Sequence, residues 1–385
     1  MNNFLEDLNG RLASVIDSDQ FVPLHNPVFE GNEEKYLVDC VRSNFVSSVG
    51  EYVTKFETAL QDYTGMKHAV VCVNGTAALH VSLILLGVEV DDEVLMPAMT
   101  FIATANAVSY VGAIPHFVDV EEKSLGIDVD KLEVYLKEIS EMRDGACYNK
   151  KSGRRIKAIV PMHTFGHPVD MDRLHTVAER FSIEVIEDAA ESLGSYYKNR
   201  HTGKTSKLSA VSFNGNKIMT TGGGGAILTD DDDLAKRAKH ITTTAKIPHK
   251  WEFNHDMVGF NYRMPALNAA LGLAQIERLD IFLEKKRALA LKYKEALKGM
   301  DELKFFEEPE YAKSNYWLNA IILKRGYEYL RDEILAITNE NGIMTRPIWT
   351  LLNKLEMFKE CPKMNLDVSE SLEKRVINIP SSAWL

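Results

Sequence analysis

The stretch His68-Ala-Val-Val-Cys-Val-Asn-Gly-Thr-Ala-Ala-Leu79 decides the fold, because it joins a buried β-strand to a helix through a glycine turn. Its first six residues are mostly apolar and rich in valine, which is typical of a strand buried on both faces. The turn lies at Asn74-Gly75, and we predict a helix over residues 76–86. Free N–H groups at the start of this helix favour a bound anion. The alternative is a simple cap, in which Asn74 or Thr76 accepts backbone N–H groups.

The same alternation of short apolar runs and amphipathic stretches continues toward the middle of the chain. Near-continuous apolar strands that alternate with helices predict an α/β fold with a mostly parallel sheet covered on both faces. The polar, basic segment over residues 136–155 is predicted to be a surface insertion. Further strands are predicted at residues 93–96, 114–119, 156–162, 183–187 and 208–213, with helices at residues 103–111 and 171–181.

The pattern changes after about residue 264. Apolar residues at helical spacing predict one long helix over residues 265–300, and Pro265 suits its first turn. Strands at residues 317–324 and 343–348, with a helix between them, then predict a second domain of α+β type. We therefore expect an accessory N-terminal helix within residues 1–25, a large domain at 26–264 and a smaller domain at 265–385.

Composition excludes several classes of protein. The chain has 385 residues, is 45% hydrophobic and carries 45 Lys and Arg against 55 Asp and Glu, a formal net charge of −10. An acidic chain without a basic run is a poor ligand for nucleic acid or an anionic membrane surface. No apolar run approaches the roughly 20 residues of a membrane span. The first residues lack the pattern of a signal peptide, so we expect a cytoplasmic protein.

Candidate reactive groups follow the predicted strands, where ligands bind in open α/β sheets. Asp188 and Glu191 follow one strand, and Lys217 follows another, ahead of four consecutive glycines. Taken alone, each has an ordinary explanation. Asp188 and Glu191 could be acids that are favoured at the start of a helix, and Lys217 could be a solvated surface lysine. Together with the anion site after the first strand they are the parts that pyridoxal phosphate needs, namely a Schiff-base lysine, an acid for the pyridine nitrogen and a helix start for the phosphate. Phe101 could cover the cofactor ring or belong to the core.

At these residues the chain resembles the DegT/DnrJ/EryC1/StrS family, the nucleotide-sugar aminotransferases of aspartate-aminotransferase (type I) fold. The resemblance runs from about Phe21 to the carboxyl terminus and implies a seven-stranded sheet. The blocks that carry it are Asn74-Gly-Thr-Ala-Ala-Leu, Pro97-Ala-Met-Thr-Phe-Ile-Ala-Thr-Ala-Asn, Glu187-Asp-Ala-Ala-Glu-Ser-Leu-Gly, Ser212-Phe-Asn-Gly-Asn-Lys, Gly259-Phe-Asn-Tyr-Arg-Met and Ile379-Pro-Ser-Ser.

Within that family the chain looks most like the legionaminic-acid-pathway aminotransferases. This likeness lies in Pro161-Met-His-Thr-Phe-Gly-His-Pro, in the run from Ser212 through four glycines, and in Thr242-Thr-Thr-Ala-Lys-Ile-Pro-His. It implies a UDP-linked 4-keto-6-deoxy-N-acetylhexosamine as substrate and glutamate as amino donor. A 3-keto-sugar aminotransferase and a non-catalytic cofactor-binding regulatory protein remain alternatives. Members with histidine in place of the lysine are dehydratases, and Lys217 argues against that branch.

The resemblance also implies roles for individual residues. Lys217 would be the Schiff-base lysine and general acid/base, and Asp188 would pair with the pyridine nitrogen. Asn261 would reach the phosphate from a second subunit, which implies a homodimer with shared active sites. Other expected cofactor contacts are Gly75, Thr76, Phe101, Glu191 and Ser212, and expected substrate contacts are His163, Arg263, Tyr316 and Arg346; no metal site is expected.

Three positions depart from the family's pattern. Glu191 stands where many members have glutamine or histidine near the cofactor's phenolic oxygen, and a carboxylate there needs a proton or an intervening donor. Gly223 replaces a common glutamate. The common His-x-Tyr of the second domain reads Asn315-Tyr316-Trp317 here.

Arg346 could bind substrate or form an interdomain ion pair, and Arg263 could serve either the phosphate or the substrate.

Overall fold

A computed structural model describes residues 2–48 and 50–385. Within these ranges no helix is both long enough and apolar enough to cross a bilayer. The α-helices are α1 Asn2–Ile16, α2 Glu33–Ser43, α3 Glu51–Thr64, α4 Gly75–Leu85, α5 Ile102–Tyr110, α6 Val129–Ile139, α7 Met171–Arg180, α8 Asp232–Thr242, α9 Ala266–Ile276, α10 Leu279–Ala296, α11 Arg331–Glu340 and α12 Asp367–Glu373. Short 3-10 helices lie at Thr164–Gly166, Glu328–Leu330, Leu352–Lys354 and Glu356–Phe358.

The strands form two larger and two smaller sheets in the described ranges. They are β1 His68–Cys72, β2 Glu93–Pro97, β3 Ile114–Val118, β4 Ser140–Arg143, β5 Ala146–Asn149, β6 Ile156–Ile159, β7 Glu184–Asp188, β8 Tyr196–Tyr197, β9 Arg200–His201, β10 Leu208–Ser212, β11 Gly225–Thr229, β12 Leu303–Phe305, β13 Ala312–Lys313, β14 Asn319–Leu323, β15 Arg346–Pro347 and β16 Val376–Ile379.

The largest sheet has seven strands in the order β1-β11-β10-β7-β6-β2-β3. All neighbouring strands pair in parallel except β11, which is antiparallel to both β1 and β10. The α/β fold with a mostly parallel seven-stranded sheet is therefore confirmed. Strand β11 was not predicted, because three glycines precede it, a fourth is its first residue, and only Ala226-Ile-Leu-Thr remains to indicate a strand.

The prediction of one long helix over residues 265–300 is wrong, because this segment forms two helices. Helices α9 and α10 are separated by a turn at Glu277 and Arg278. Tertiary contacts favour this turn: Glu277 accepts hydrogen bonds from Asn32 and Tyr36, and Gln275 Nε2 donates to the Val28 carbonyl. These partners lie far back in the chain, so the local helical spacing does not reveal the interruption.

A second, antiparallel sheet has the order β12-β14-β16-β15. The predicted accessory helix is α1, and its apolar face packs with α10 and α11 beside this sheet. Helix α9, in contrast, packs on α2 and α3. The domain boundary at residue 265 stays a prediction, and these contacts favour placing it after α9. The packed face of α1 consists of Leu5, Leu8, Leu12 and Ile16.

The segment predicted to be a surface insertion contains the hairpin β4–β5. One side of it is exposed, but the other covers a buried carboxylate of the large sheet. Asn149 Nδ2 and Ser152 Oγ donate to Glu93 at 2.9 and 2.6 Å, and His116 Nδ1 lies 2.8 Å from the same side chain. The prediction was therefore incomplete, because a buried carboxylate requires polar partners and this segment provides two of them.

Candidate active site

A cavity of about 410 Å³ lies at the carboxyl ends of β7 and β10, beside the start of α4. This is the edge of a parallel sheet at which ligands usually bind. The cavity brings together residues from seven separate segments, spanning positions 74–349. Seven of the eight predicted cofactor-binding residues line its wall, and the exception is Asn261. The seven are Gly75, Thr76, Phe101, Asp188, Glu191, Ser212 and Lys217.

The amine of Lys217 lies inside this cavity, on the loop that follows β10. Its Nζ is 3.3 Å from Glu191 Oε1 and 3.9 Å from the centroid of the Trp317 ring. Trp317 is itself held against the lysine loop, since its indole N–H donates to the Asn216 carbonyl at 2.6 Å. The Lys217 side chain is only 12% exposed. A primary amine is thus presented to the cavity between a carboxylate and an aromatic face.

Asp188 is the last residue of β7 and is almost fully buried. Its Oδ2 accepts a hydrogen bond from Thr104 Oγ1 at 2.6 Å, and its Oδ1 accepts one from the Ala190 N–H at 3.2 Å. Burial raises the pKa of Asp188, although the Thr104 hydrogen bond opposes the rise. A buried carboxylate without an adjacent cation is costly, so this side chain is suited to pair with a cationic group of a ligand.

The start of α4 offers backbone donors to the same cavity. Asn74 is the N-cap, and its Oδ1 accepts from the Ala77 N–H at 2.7 Å. The first N–H groups of a helix have no intrahelical partner, which leaves those of Gly75 and Thr76 for a ligand. A Cβ on Gly75 would lie 2.9 Å from the Cβ of Ser212, so glycine allows the serine hydroxyl to reach this helix end. The cap is therefore present, and it leaves the N–H groups of Gly75 and Thr76 available to an anion.

The four consecutive glycines, Gly222 to Gly225, allow two backbone segments to approach closely. A Cβ on Gly225 would lie 2.5 Å from the backbone carbon of Asn74 and 2.6 Å from the nitrogen of Gly75. Nothing lies within 4 Å of a Cβ built on Gly223. The run thus lets β11 pack against the turn that presents the helix N–H groups. Only some of the four positions require glycine.

We expect Gly225→Ala to lower the free energy of unfolding by about 1–3 kcal/mol, because its methyl group would overlap the backbone of Asn74 and Gly75. The displaced turn should also weaken retention of a phosphorylated ligand. Urea unfolding and equilibrium dialysis would measure the two effects. Gly223→Ala is the matched control and should change stability by less than about 0.5 kcal/mol. Equal stability of the two variants would contradict this explanation.

Glu191 completes the inner wall of the cavity. Its Oε2 accepts from the Phe165 N–H at 2.9 Å, while Oε1 faces Lys217. Burial raises the pKa of Glu191 to about 7, although the charge of Lys217 opposes the rise. The carboxyl group can therefore hold a proton near neutral pH. A protonated carboxyl group would not repel the cofactor's phenolic oxygen, which is the conflict that the sequence raised for a glutamate at this position.

Two predicted substrate contacts are corrected by their burial. His163 is fully buried: its Nδ1 accepts from the Val169 N–H at 3.2 Å, and its Nε2 lies 3.0 Å from Glu187 Oε2. Tyr316 is also buried, and its ring lies 5.1 Å from that of His167. His163 does follow a strand, but its side chain turns into the core to pair with a buried carboxylate.

Arg346 is likewise outside the cavity, at the edge strand β15. Its Nη1 donates to Asn339 Oδ1 at 3.0 Å and to the Thr345 carbonyl at 2.9 Å. It contacts residues near it in sequence, and neither a substrate role nor an interdomain ion pair is supported. The prediction relied on its place after a strand, whereas the strand lies at the far edge of the second sheet.

Asn261 and Arg263 are exposed and do not line the cavity of their own chain. Asn261 Oδ1 accepts from Arg263 Nε at 3.1 Å and from its Nη2 at 2.9 Å. Their side chains therefore present an amide and a guanidinium together on the surface. Neither residue can complete the site from within the same chain in this conformation.

Sequence reasoning missed three residues of the site. Thr104 is one helical turn after Phe101, and its hydroxyl orients Asp188. Trp317 precedes β14 and Trp349 follows β15, and both form the aromatic wall of the cavity. Thr104 lies in the first turn of α5, three residues after the N-cap residue Phe101, and this short spacing could have revealed it. The two tryptophans had no local signal.

These groups fit pyridoxal phosphate. The cavity contains a primary amine, a buried carboxylate that needs a cation, and a helix start crowded enough to require Gly75 beside Ser212. Lys217 would hold the aldehyde carbon, Asp188 the pyridine nitrogen, and Ser212 with α4 the phosphate. The fold and this cavity define a pyridoxal-phosphate-dependent enzyme of aspartate-aminotransferase fold.

Comparison with known proteins agrees with this class. The chain belongs to the DegT/DnrJ/EryC1/StrS aminotransferase family, whose model matches residues 28–385. It is 35% identical over 362 residues to the GDP-perosamine synthase of Caulobacter vibrioides, covering 93% of this chain and 92% of that protein. It is 31% identical over 342 residues to the UDP-4-amino-4-deoxy-L-arabinose–oxoglutarate aminotransferase of Shewanella sediminis, covering 85% and 82%.

Solved structures agree as well. A DegT/DnrJ/EryC1/StrS aminotransferase from Brucella abortus superposes with a TM-score of 0.83 at 30% identity, covering 92% of this chain and 91% of that one. The aminotransferase class, the family and the cofactor expected from the sequence are thereby confirmed. The particular likeness to the legionaminic-acid-pathway enzymes stays a prediction.

Proposed function

We propose that this aminotransferase converts a nucleotide-linked 4-keto-6-deoxy sugar, UDP-4-keto-6-deoxy-N-acetylhexosamine, to the 4-amino sugar with glutamate as amino donor. The observation that carries this proposal is the joint presence of the Lys217 amine and the Asp188 carboxylate in one cavity. The same two groups favour a catalyst over an idle cofactor-binding regulator. Such an activity belongs to the synthesis of bacterial surface glycans, and we expect it in the cytoplasm.

The names of the relatives support the choice of substrate. The Shewanella sediminis protein is named for a UDP-linked 4-amino-4-deoxy sugar and for oxoglutarate, which is the keto acid of glutamate. The Caulobacter vibrioides protein is named for a GDP-linked amino sugar. A 4-amino product therefore has direct support, whereas the relatives differ in nucleotide. UDP and the N-acetylhexosamine follow from the likeness to the legionaminic-acid-pathway enzymes.

The chain's own residues would share the work as follows. When bound, pyridoxal phosphate delocalises the electron pair left after the donor's Cα–H bond breaks. Asp188, oriented by Thr104, would hold a proton on the ring nitrogen by charge pairing. Lys217 Nζ would move the proton from the donor carbon to the cofactor's aldehyde carbon, and in the second half-reaction it would move a proton from that carbon to the sugar carbon, because a free amine can act as a base. Phe101, half exposed at the wall, would cover the ring.

The structure also supports a homodimer with shared sites. In the described part of the cavity wall Lys217 is the one cationic side chain. A nucleotide diphosphate and the two carboxylates of glutamate need several cationic or hydrogen-bond-donating groups. Asn261 and Arg263 offer them on the surface, next to a loop where Trp251, Phe253 and Val258 are 72%, 77% and 84% exposed. Apolar exposure of this size is typical of an interface. We propose that a second copy covers this loop and receives Asn261.

A panel of substrates would test the proposal. The purified protein would be given pyridoxal phosphate, glutamate and 3-keto or 4-keto sugars linked to UDP, GDP or dTDP. We expect the highest kcat/KM with the UDP-linked 4-keto N-acetylhexosamine, measured as oxoglutarate released and amino sugar formed by mass spectrometry. Turnover of 3-keto sugars alone would identify the alternative aminotransferase. Cofactor binding without turnover of any sugar would identify a regulator.

A further inference from the structure

Glu191 and Lys217 form an isolated pair in the wall of the cavity. The Glu191 side chain is 1% exposed and that of Lys217 is 12% exposed, with 3.3 Å between Oε1 and Nζ. Glu191 cannot easily move away. Its Oε2 accepts from the Phe165 N–H, and its backbone carbonyl accepts from Asn315 Nδ2 at 2.9 Å. The carboxyl group is therefore fixed within reach of the amine that reacts.

The charged groups around Glu191 are few. Lys217 faces it from the loop after β10, and Asp188 lies nearby at the end of β7. The loop before α7 and the second domain meet this pair with the uncharged Phe165 N–H and the Trp317 ring. Burial raises the pKa of Glu191 to about 7, the charge of Lys217 lowers it, and Asp188 adds a smaller rise.

The N-terminal segment brings one further titratable group toward Lys217. Burial lowers the pKa of His25, and the charges of Lys286 and Lys217 lower it further. His25 is therefore neutral at physiological pH and adds no charge. Lys286 is fully buried, and its Nζ donates to the carbonyls of Trp317 and Ser381. Neither side chain is hydrogen-bonded to Lys217 or Glu191.

We propose that Glu191 exchanges a proton directly with Lys217 and so sets how much of the lysine is a free amine. In the step, an N–H bond of the Lys217 ammonium breaks, its electron pair stays on Nζ, and the proton forms an O–H bond with Glu191 Oε1. The reverse step returns the proton, and nothing is oxidised or reduced. This proposal rests on the proposed function only in taking Lys217 as the reacting lysine.

Two neighbours are poorer proton acceptors for Lys217. The oxygens of Asp188 are occupied by Thr104 and Ala190, and neither is hydrogen-bonded to Nζ. The Trp317 ring stabilises a cation on Nζ but cannot accept its proton. Glu191 is therefore the group placed to receive it.

Glu191→Gln tests the proposal with a readout that is independent of turnover. The full-length chain, freed of cofactor, would be labelled with trace acetic anhydride across a pH series, and acetylation of Lys217 measured by mass spectrometry. Above about pH 7 an ionised Glu191 lies 3.3 Å from the Lys217 ammonium and should hold the proton on Nζ, whereas glutamine carries no charge and should not. At about pH 9 we then expect roughly tenfold more Lys217 acetylation in the variant.

The pH dependence separates this role from a structural one. At about pH 6 Glu191 is protonated and resembles glutamine, so the difference should vanish. Glu295→Gln, which makes the same change at a side chain that is 77% exposed, should match the wild type throughout, and Lys236 serves as the internal reference. A difference that is absent or constant across the pH series would overturn the proposal.

A second measurement covers the case in which Glu191→Gln does not fold. Glutamate carboxyl carbons labelled with ¹³C in the wild-type chain would be titrated by NMR. One resonance with its midpoint near pH 7 supports the proposal, and Glu191→Asp should remove it. If every glutamate titrates below about pH 5.5, the proposal fails. Neither experiment uses a sugar substrate, so failure here is distinct from failure of the proposed function.

Discussion

Replacing Lys217 with alanine should lower kcat for amino transfer by roughly a thousandfold or more. Two functions are lost together, namely the amine that binds the cofactor and the base that moves the donor's proton. The cavity offers no substitute, because Lys217 is the one lysine in its described wall. The measurements are steady-state oxoglutarate release and the visible absorbance of bound cofactor after dialysis, which should also be lost.

Two further variants make this result specific. Lys217→Arg keeps a positive charge, but a guanidinium stays protonated and cannot act as a base, so it should be equally inactive. Lys236→Ala removes a lysine that is 78% exposed and should leave turnover unchanged. Activity in Lys217→Ala above about a tenth of the wild type would contradict the assigned role.

Asp188→Asn should lower kcat by roughly a hundredfold or more, because a neutral amide cannot stabilise a cationic ring nitrogen from its buried position. The side chain is 3% exposed and Thr104 orients it, so the change removes a charge with little change in shape. We expect weaker retention of the cofactor as well. Stopped-flow absorbance with glutamate alone would isolate the first half-reaction, where the loss should be seen.

Thr104→Val is the matched comparison for Asp188. It removes the hydroxyl that donates to Oδ2 and keeps the carboxylate, so we expect a loss of roughly tenfold or less. The order of the two losses is the informative result. If Thr104→Val were as severe as Asp188→Asn, the orientation of the carboxylate would matter more than its charge.

Most of the fold could be predicted from local patterns. The helices after β1, β2 and β6 begin within one residue of their predicted positions. The exceptions have tertiary causes. Strand β11 is short and follows a glycine run that exists to approach Asn74, and the turn at Glu277 is held by residues near position 30. Contacts between distant segments leave no periodic signal.

In the candidate active site, too, local sequence patterns predict some residues and tertiary structure decides others. Seven of its eight predicted cofactor-binding residues lie close to strand ends or a helix start and line the cavity, whereas Asn261 lies on the surface. Tyr316 and Trp317 show the limit of this reasoning. Tyr316 has a φ of 47°, which interrupts the extended alternation and turns Trp317 toward Lys217 in its place. The two are adjacent in sequence, and only the backbone conformation decides between them.

The sequence by itself determined which elements form and where the reactive groups stand. An apolar strand followed by a glycine turn places backbone donors at a sheet edge, and parallel strands bring Asp188 and Lys217 to that same edge. Only the tertiary structure decided how those groups meet. Asn315 bonds to the Glu191 carbonyl across 124 positions of chain, and Trp317 then covers Lys217. Such pairings depend on how distant segments pack, because side-chain direction in the core follows from the neighbours that each group must satisfy.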